Sequence, residues 1–328
     1  MPLSTIFIAL TLLSVGHQKE KGFTTEQYLK DFDVLWETIR DEYAYFDLHR
    51  ADWTKARTVF RPKVQEVSHL GEFVMLLERL LDQLADPHTH LNSNTASSQR
   101  LVPSGALVWA VPDKEAAVVK SIRSFEVAKG LRTGDRILLI NGQTASVAVK
   151  QRIGPASNGS DPAVRQYALM CLLAGKRDKA VEIRVARRGA TPRDLILIPP
   201  DSNKAAKSPT QPLLVKVLPG NVGYIRFNNS LGVQETVLAF DRAIARLSAT
   251  KGLVIDLRDT PGGGNTTIGR AILGHFVRKE RPYQKHSDPG EFRATGIPRS
   301  WIELVSPRVP GYTKPVVALV GRWTASMG

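Results

Sequence analysis

The sequence contains a single cysteine, Cys171, in 328 residues, and it has no low-complexity tract. One cysteine excludes an intrachain disulfide. Because no second cysteine and no nearby histidine accompany it, Cys171 is predicted to be a small buried hydrophobic residue rather than a metal ligand or nucleophile. Apolar residues make up 42% of the chain and charged residues 23%. We therefore predict a folded chain, long enough for two or three domains with separate cores.

The N-terminal apolar run, Ile6 to Val15, is too short to cross a bilayer but suits the apolar part of a signal peptide. A basic segment before it and a small-residue cleavage pattern are missing. The sequence predicts residues 1–22 to be a leader and the protein to be exported, to a periplasm or outside the cell, without a stable membrane span. A terminal segment packed on the first domain is the alternative.

Charge of one sign is in excess, with 45 Lys and Arg against 31 Asp and Glu, a formal net charge of +14. This permits attraction to acidic partners. The basic residues are scattered, however, and the densest stretch, 184–195, alternates with apolar residues like the exposed face of a strand. Since no recognised binding motif is present, nucleic acid is not predicted as a partner.

The first part of the chain has the periodicity of two amphipathic helices. Thr24 and Gln27 form a capping-box pattern before the first, and a leucine-rich second helix is expected to run from residue 71 until Asp86-Pro87 ends it. Residues 23–98 are therefore predicted to be a helical domain.

From 99 to 200 the pattern changes to short aliphatic runs between turn residues, with Asn141-Gly142 as the signal of a type I′ hairpin. This predicts a β-rich module rather than a parallel sheet. A polar linker at 201–212 precedes 213–328, where strand, helix, strand, glycine turn, helix and strand follow in order. That order is typical of an α/β layer with buried parallel strands, so the fold class is α+β with several domains.

The glycine run in "DLRDTPGGG" is the first candidate site. A buried strand leads into Pro261 and then Gly262 to Gly264. Glycines let the backbone approach a ligand and leave N–H groups directed outward, as in an oxyanion hole or a phosphate cradle. The spacing fits neither a P-loop nor a dinucleotide fingerprint. An oxyanion hole and a plain structural turn both remain open.

Ser326, in "VALVGRWTASMG", is the second candidate. A serine at the end of a buried strand can serve as a nucleophile. Gly328 fits the Gly-x-Ser-x-Gly elbow, but Thr324 stands in place of its first glycine. The alternative is a helix N-cap.

His88, in "LADPHTHLN", is the third candidate. We consider a general base, a zinc ligand together with His90, and a histidine that is only hydrogen-bonded in the structure. Zinc would need a third ligand, and the local sequence offers none.

The order of these segments resembles one family. "LADPH", "KGLRTGDRILLINGQ", "GLVIDLRDTPGGG" and "VVALVGRWTASMG" follow the order seen in the S41 serine peptidases, which include the C-terminal processing (tail-specific) proteases and the tricorn-like core proteases. The resemblance covers almost all of the chain after residue 22. It implies a PDZ-like domain at 99–200 and a ClpP/crotonase-like α/β protease domain at 213–328.

The resemblance also implies roles for individual residues. Ser326 matches the nucleophile, and the backbone N–H groups of Gly263 and Met327 match the oxyanion hole. His88 stands where tricorn-like members have a catalytic histidine, although Pro87 replaces the serine found before it in tricorn. The implied activity is hydrolysis of peptide bonds in unstructured or C-terminal protein segments, with no metal or organic cofactor.

One departure concerns the proton acceptor. Tail-specific members use a lysine further downstream than residue 328, and tricorn-like members a glutamate. We therefore expect residues 1–328 to be an incomplete protease domain, poorly stable or inactive alone, and the base is left open between His88 and a lysine. The alternative function is a non-catalytic protein that binds peptides or apolar ligands on a degenerate protease fold, since the family has retinoid-binding branches.

Overall fold

The computed structural model describes residues 23–91, 95, 97–123, 130–176, 179–198, 211–228, 231–260 and 262–328. The predicted leader and most of the predicted linker lie outside the described residues. The helices are α1 (Thr25–Glu42), α2 (Phe46–His49), α3 (Trp53–Phe60), α4 (Leu70–Leu81), α5 (Ala145–Arg152), α6 (Pro162–Ala174), α7 (Glu235–Arg246), α8 (Thr266–Gly274) and α9 (Pro289–Thr295).

The strands are β1 (Val108–Asp113), β2 (Ala116–Ile122), β3 (Arg136–Ile140), β4 (Gln143–Thr144), β5 (Val181–Arg187), β6 (Ala190–Leu197), β7 (Leu213–Leu218), β8 (Val222–Phe227), β9 (Gly252–Asp256), β10 (Arg281–Asp288), β11 (Arg299–Val305) and β12 (Val316–Leu319). Short 3₁₀ turns occur at Pro62–Glu66, Asp82–Leu84 and Pro103–Gly105.

Helices α1 to α4 pack around one apolar core. The two amphipathic helices that the sequence predicts here are α1 and α4, and α2 and α3 were not predicted. The capping box is present, because the Gln27 amide N–H donates to Thr24 Oγ1 and the Thr24 N–H donates to Gln27 Oε1. Helix α4 ends earlier than expected, at Leu81 rather than at Asp86-Pro87. A 3₁₀ turn follows, and Ala85 then adopts a left-handed φ of 52°, which stops the helix before the proline is reached.

Strands β1 to β6 form the antiparallel module, in the order β1-β2-β3-β5-β6 with β4 paired to β3. All its pairings are antiparallel, as expected for a module that is not a parallel sheet. Asn141 and Gly142 have φ values of 48° and 81° between paired Ile140 and Gln143. The predicted type I′ hairpin is therefore confirmed.

Helix α6 was not predicted from the sequence. Asp161 caps it, Pro162 occupies its first turn, and most of its residues from Ala168 to Ala174 are buried. A helix that is apolar around most of its circumference has no polar stripe to reveal its period. The signals that could have found it are the Asp-Pro start and Gly175 as its C-cap.

The last region contains the four-stranded sheet β12-β9-β8-β7. The pairs β12/β9 and β9/β8 are parallel, and β7 is antiparallel to β8. The parallel strands and α7 agree with the sequence. The two-stranded ribbon β10/β11, with α9 in its connection, was not predicted. Phe240 of α7 is fully buried and stacks on Phe227 of β8, which attaches the helix to the sheet.

Within the described ranges, no helix combines the length and the apolar character that crossing a membrane requires.

Replacement of Phe32 tests the helical core. Its side chain is fully buried, so we expect Phe32→Ala to lower the free energy of unfolding of this region by about 3–5 kcal/mol, through lost burial and the cavity it leaves. Val34→Ala on the same helix, where the side chain is 54% exposed, should change it by less than about 0.5 kcal/mol. Urea unfolding followed by circular dichroism measures both, and equal effects would contradict the packing described.

Candidate active site

The loop after β9 carries the glycine run. Pro261 lies outside the described residues. Gly262 and Gly263 have φ values of 105° and 76°, in the region that favours glycine. After Gly264, Asn265 caps α8 by accepting a hydrogen bond from the Ile268 N–H. The glycine loop therefore leads directly into the N-terminus of a helix.

Asp256, the last residue of β9, fixes the start of this loop. Its carboxylate accepts hydrogen bonds from the Arg258 guanidinium (2.7 Å), the Tyr224 hydroxyl (2.7 Å) and the Arg258 backbone N–H (3.0 Å). These bonds, the one from the Arg258 side chain above all, hold the pKa of Asp256 well below its usual range, although its burial opposes this. The carboxylate therefore stays ionised and anchors the turn.

The loop after β12 carries Ser326. Thr324 Oγ1 donates to the Leu257 carbonyl (2.8 Å) and accepts from the Gly321 N–H (2.8 Å), and the Ala325 N–H donates to the Thr260 carbonyl (3.2 Å). Thr324, which replaces the first glycine of the elbow pattern, thus ties the serine loop to the loop after β9.

Ser326 is exposed and has a left-handed φ of 53° in a turn, where a non-glycine residue costs on the order of 1–2 kcal/mol. The turn is closed by the Gly328 N–H, which donates to the Ala325 carbonyl (3.0 Å). Ser326 therefore occupies a strained turn rather than the extended backbone that an N-cap adopts. Such a turn presents a hydroxyl at the end of a strand.

The two loops touch. A methyl group on Gly262 would lie 2.9 Å from Ser326 Cβ and 3.4 Å from the Ala325 carbonyl oxygen, and one on Gly264 would lie 2.6 Å from Met327 Cβ. The 2.9 Å and 2.6 Å distances are shorter than a Cβ contact allows, so both positions need glycine because the serine loop approaches so closely. The structure brings Ser326 and Met327 into contact with the glycine run.

Met327 is held on its other side. Its Sδ accepts a hydrogen bond from the Tyr283 hydroxyl of β10 at 3.2 Å, and its side chain packs against the core below the sheet. Tyr283 was not singled out in the sequence, because it lies in the ribbon that no periodic pattern predicted.

The contacts of His88 that the structure describes do not involve the serine loop or the glycine loop. Its side chain is 68% exposed, and Nδ1 is 3.6 Å from Asp86 Oδ1. Asp86 also accepts hydrogen bonds from the His88 N–H, the Tyr43 hydroxyl and Thr89 Oγ1. Burial, together with Asp86, raises the pKa of Tyr43 well above its usual range, so its hydroxyl remains a donor. In the described part of the chain, no hydrogen bond joins His88 to Ser326.

The zinc interpretation of His88 and His90 gains no further ligand. Among the described residues, no three His, Cys, Asp or Glu side chains are grouped to hold a metal ion. His90 Nδ1 is instead 2.7 Å from the Leu91 carbonyl oxygen. Cys171 is buried, and burial raises the pKa of its thiol to about 12, which fits the predicted apolar role.

Trp323 connects the serine loop to the antiparallel module and was missed in the sequence. Its side chain is buried, and its indole N–H donates to the Ala106 carbonyl at 2.8 Å. Arg123 lies over the Trp323 ring, with 5.9 Å between Cζ and the ring centroid, and pairs with Asp259 in the other loop. A tryptophan three residues before a candidate nucleophile was the available signal.

The serine lies in a strained turn at the carboxyl end of a parallel strand and against a glycine loop. Of the known classes of protein, this fold and site fit best the hydrolases that use a serine nucleophile. Comparison with family models gives two matches: the tricorn protease C1 domain at residues 24–82, and peptidase family S41 at residues 221–328. The match to peptidase family S41 spans the part of the chain that holds the glycine loop and Ser326. A comparison with curated proteins gave no match.

Solved structures with a similar fold include mature CPAF complexed with lactacystin, with a TM-score of 0.54 at 14% identity over 92% of this chain and 81% of that chain. Mature CPAF alone gives a TM-score of 0.52 at 14% identity, over 90% and 78%. The photosystem II D1 C-terminal processing protease gives 0.49 at 21% identity, over 93% and 77%. At these identities the likeness to mature CPAF shows a shared mixed α/β fold.

The Asp256 anchor predicts an acid-dependent stability. A carboxyl whose pKa is lowered by folding stabilises the protein above its unfolded pKa, near 3.9, and loses this contribution as the pH falls. We expect Asp256→Asn to cost about 2–3 kcal/mol at pH 7, and the difference from the wild type to shrink below about pH 4. Urea unfolding between pH 2 and 7 measures both effects.

Asp259→Asn is the matched control, because Asp259 is 66% exposed in its pair with Arg123 and should contribute less than about 1 kcal/mol. A difference for Asp256→Asn that stays constant down to pH 2 would contradict the anchoring role.

Proposed function

We propose that this chain is a serine-type endopeptidase with Ser326 as its nucleophile. The observation that carries the proposal is the contact between the strained Ser326 turn and the glycine loop, which leaves room only for glycine at position 262. The match of residues 221–328 to peptidase family S41 supports the same chemistry.

In the proposed reaction, Ser326 Oγ attacks the scissile carbonyl carbon while a base takes its proton. The backbone N–H groups of Gly263 and Met327 stabilise the oxyanion. The C–N bond then breaks as the base returns the proton to the leaving amine, and water hydrolyses the acyl-enzyme to release the second product. Proximity to the N-terminus of α8 favours the negative charge.

The base is proposed to be His88 or a lysine of the kind that tail-specific peptidases use. Asp86 would orient the imidazole ring of His88 through its Nδ1 atom, as the carboxylate of a Ser-His-Asp triad does. For His88 to act, its exposed imidazole would have to come within hydrogen-bond reach of Ser326 Oγ.

We further propose that the substrates are unstructured or C-terminal protein segments and that the protein works after export. The apolar run from Ile6 to Val15 supports export. The positive net charge favours acidic segments among otherwise equal substrates.

Covalent labelling tests the nucleophile. A serine-reactive phosphonate should modify Ser326 of the purified protein, and Ser326→Ala should abolish both labelling and peptide hydrolysis. Ser300→Ala, an exposed serine on β11, should leave both unchanged. Failure of a folded wild-type protein to react would instead favour the non-catalytic binding alternative.

A histidine pair distinguishes the two bases. If His88 is the base, His88→Ala should lower kcat by a factor comparable to Ser326→Ala, because both act in one unit. His90→Ala, two residues away and also exposed, should have little effect. Near-normal activity of His88→Ala would assign proton transfer to a lysine.

The glycine contact has its own test. We expect Gly262→Ala to slow labelling of Ser326 by about a hundredfold, because the added methyl displaces the serine loop. Gly296→Ala has the same kind of backbone strain, with a φ of 73°, but open space around the new methyl. It should label at the wild-type rate. Equal slowing by both would point to backbone strain alone.

A further inference from the structure

One of the two edges of the antiparallel module, the β1 edge, is covered by the chain itself. β1 is an edge strand, and helix α6 packs along it. The Gln166 side-chain amide donates to the Ala110 carbonyl at 2.7 Å, and the side chains of Val108 and Ala110 are fully buried. An extended peptide that joins a sheet must bond to such an edge. With α6 in place, β1 is closed to a peptide at Ala110.

Beside this covered edge is an open cavity of about 870 Å³, between α5, α6 and the β1–β2 hairpin. Its size falls in the range of small-molecule sites. Most of its lining is apolar: Val111, Pro112, Ala116, Ala117, Val149, Ile153 and Leu169.

The charged side chains that line the cavity are all basic. Lys114, Lys150 and Arg165 line it, and among its described lining residues none is acidic. Of the acids next to it in sequence, Asp113 pairs with Arg136. Glu115 accepts a hydrogen bond from Ser146 and Asp161 accepts one from the Ala163 N–H, both on the cavity wall, so the three lining cations outnumber these two carboxylates. The cavity is therefore complementary to an apolar group that ends in an anion.

We propose that this cavity binds an apolar carboxylate with an unbranched chain, of the fatty-acid class. The acyl chain would lie on Val149, Ile153 and Leu169, with its carboxylate among Lys114, Lys150 and Arg165. The proposal is independent of the peptidase activity, since it uses no residue of the Ser326 site.

A protein C-terminus offers the same carboxylate but fits less well. It would bring backbone amide groups into the cavity, and a buried amide without a partner costs free energy. Of the polar side chains that line the cavity beside its cations, Ser146 gives its hydroxyl hydrogen to Glu115 and Gln166 gives one amide N–H to the Ala110 carbonyl, which leaves little hydrogen-bonding capacity for several peptide groups. An acyl chain has no such requirement.

Titration calorimetry with dodecanoate, below its micelle concentration, tests the proposal on the purified protein and on Ser326→Ala. We expect saturable binding with one site in both. Dodecanol, which has the chain without the charge, should bind at least about tenfold more weakly, because the cations lose their partner. This comparison needs no variant. Absence of saturable dodecanoate binding, or equal binding of dodecanol, would overturn the proposal.

Variants locate the site. Lys150→Glu and Arg165→Glu, both at exposed positions, should each weaken dodecanoate binding by about tenfold. Lys120→Glu, an exposed lysine of β2 outside the cavity lining, should not. Equal effects of all three would show only nonspecific charge attraction.

A peptide with an apolar C-terminus that binds here more tightly than dodecanoate would also overturn the proposal. Failure of the phosphonate to label Ser326 would count against the proposed peptidase activity and not against dodecanoate binding in the cavity.

Discussion

The parallel pairing of β9 with β12 is the constraint on which the candidate active site depends. Leu253 to Asp256 pair with Val316 to Leu319, and the ladder is continued by the Leu257 N–H, which donates to the Leu319 carbonyl. Parallel strands end at the same edge of a sheet, so the loops that follow them emerge side by side. A serine some 60 residues from the glycine run in sequence is thereby placed against it. Glycine at 262 and 264 is then required by the distance between the two backbones.

The serine loop is also held from outside the sheet. The buried indole of Trp323 gives its only N–H to Ala106, at the entrance to β1, so the loop and the antiparallel module share one hydrogen bond. Tyr283 supports the neighbouring Met327 from the ribbon. Attachment of one short loop to three elements can offset the strain of a left-handed serine, which would otherwise relax. The turn geometry is thus a product of tertiary contacts rather than of the residues 324–328 themselves.

Much of this arrangement could be predicted from the sequence because it follows from local rules. The capping box at Thr24 and the hairpin at Asn141-Gly142 involve residues only a few positions apart, so their chemistry decides the backbone. The grouping of Ser326 with the glycine run is not local, and it was expected only from the resemblance to the S41 peptidases. Helix α6 and the β10/β11 ribbon were missed for opposite reasons. The first is too uniformly buried to show a polar face, and the second is too exposed to show an apolar one.

The two halves of the proposed catalytic machinery therefore rest on different physics. The proposed nucleophile and the proposed oxyanion donors belong to loops of a single sheet, and backbone hydrogen bonds together with close glycine contacts hold these loops together. His88 belongs to the helical region, and its local partners, above all Asp86, set its orientation without setting its distance from Ser326. That distance depends on how the helical region and the sheet are placed relative to each other. Contacts such as Arg293 of α9 with the Tyr43 carbonyl help to decide it, and they join residues 250 positions apart. No spacing in the sequence encodes such a contact, so a motif can identify the nucleophile while it leaves the base undecided.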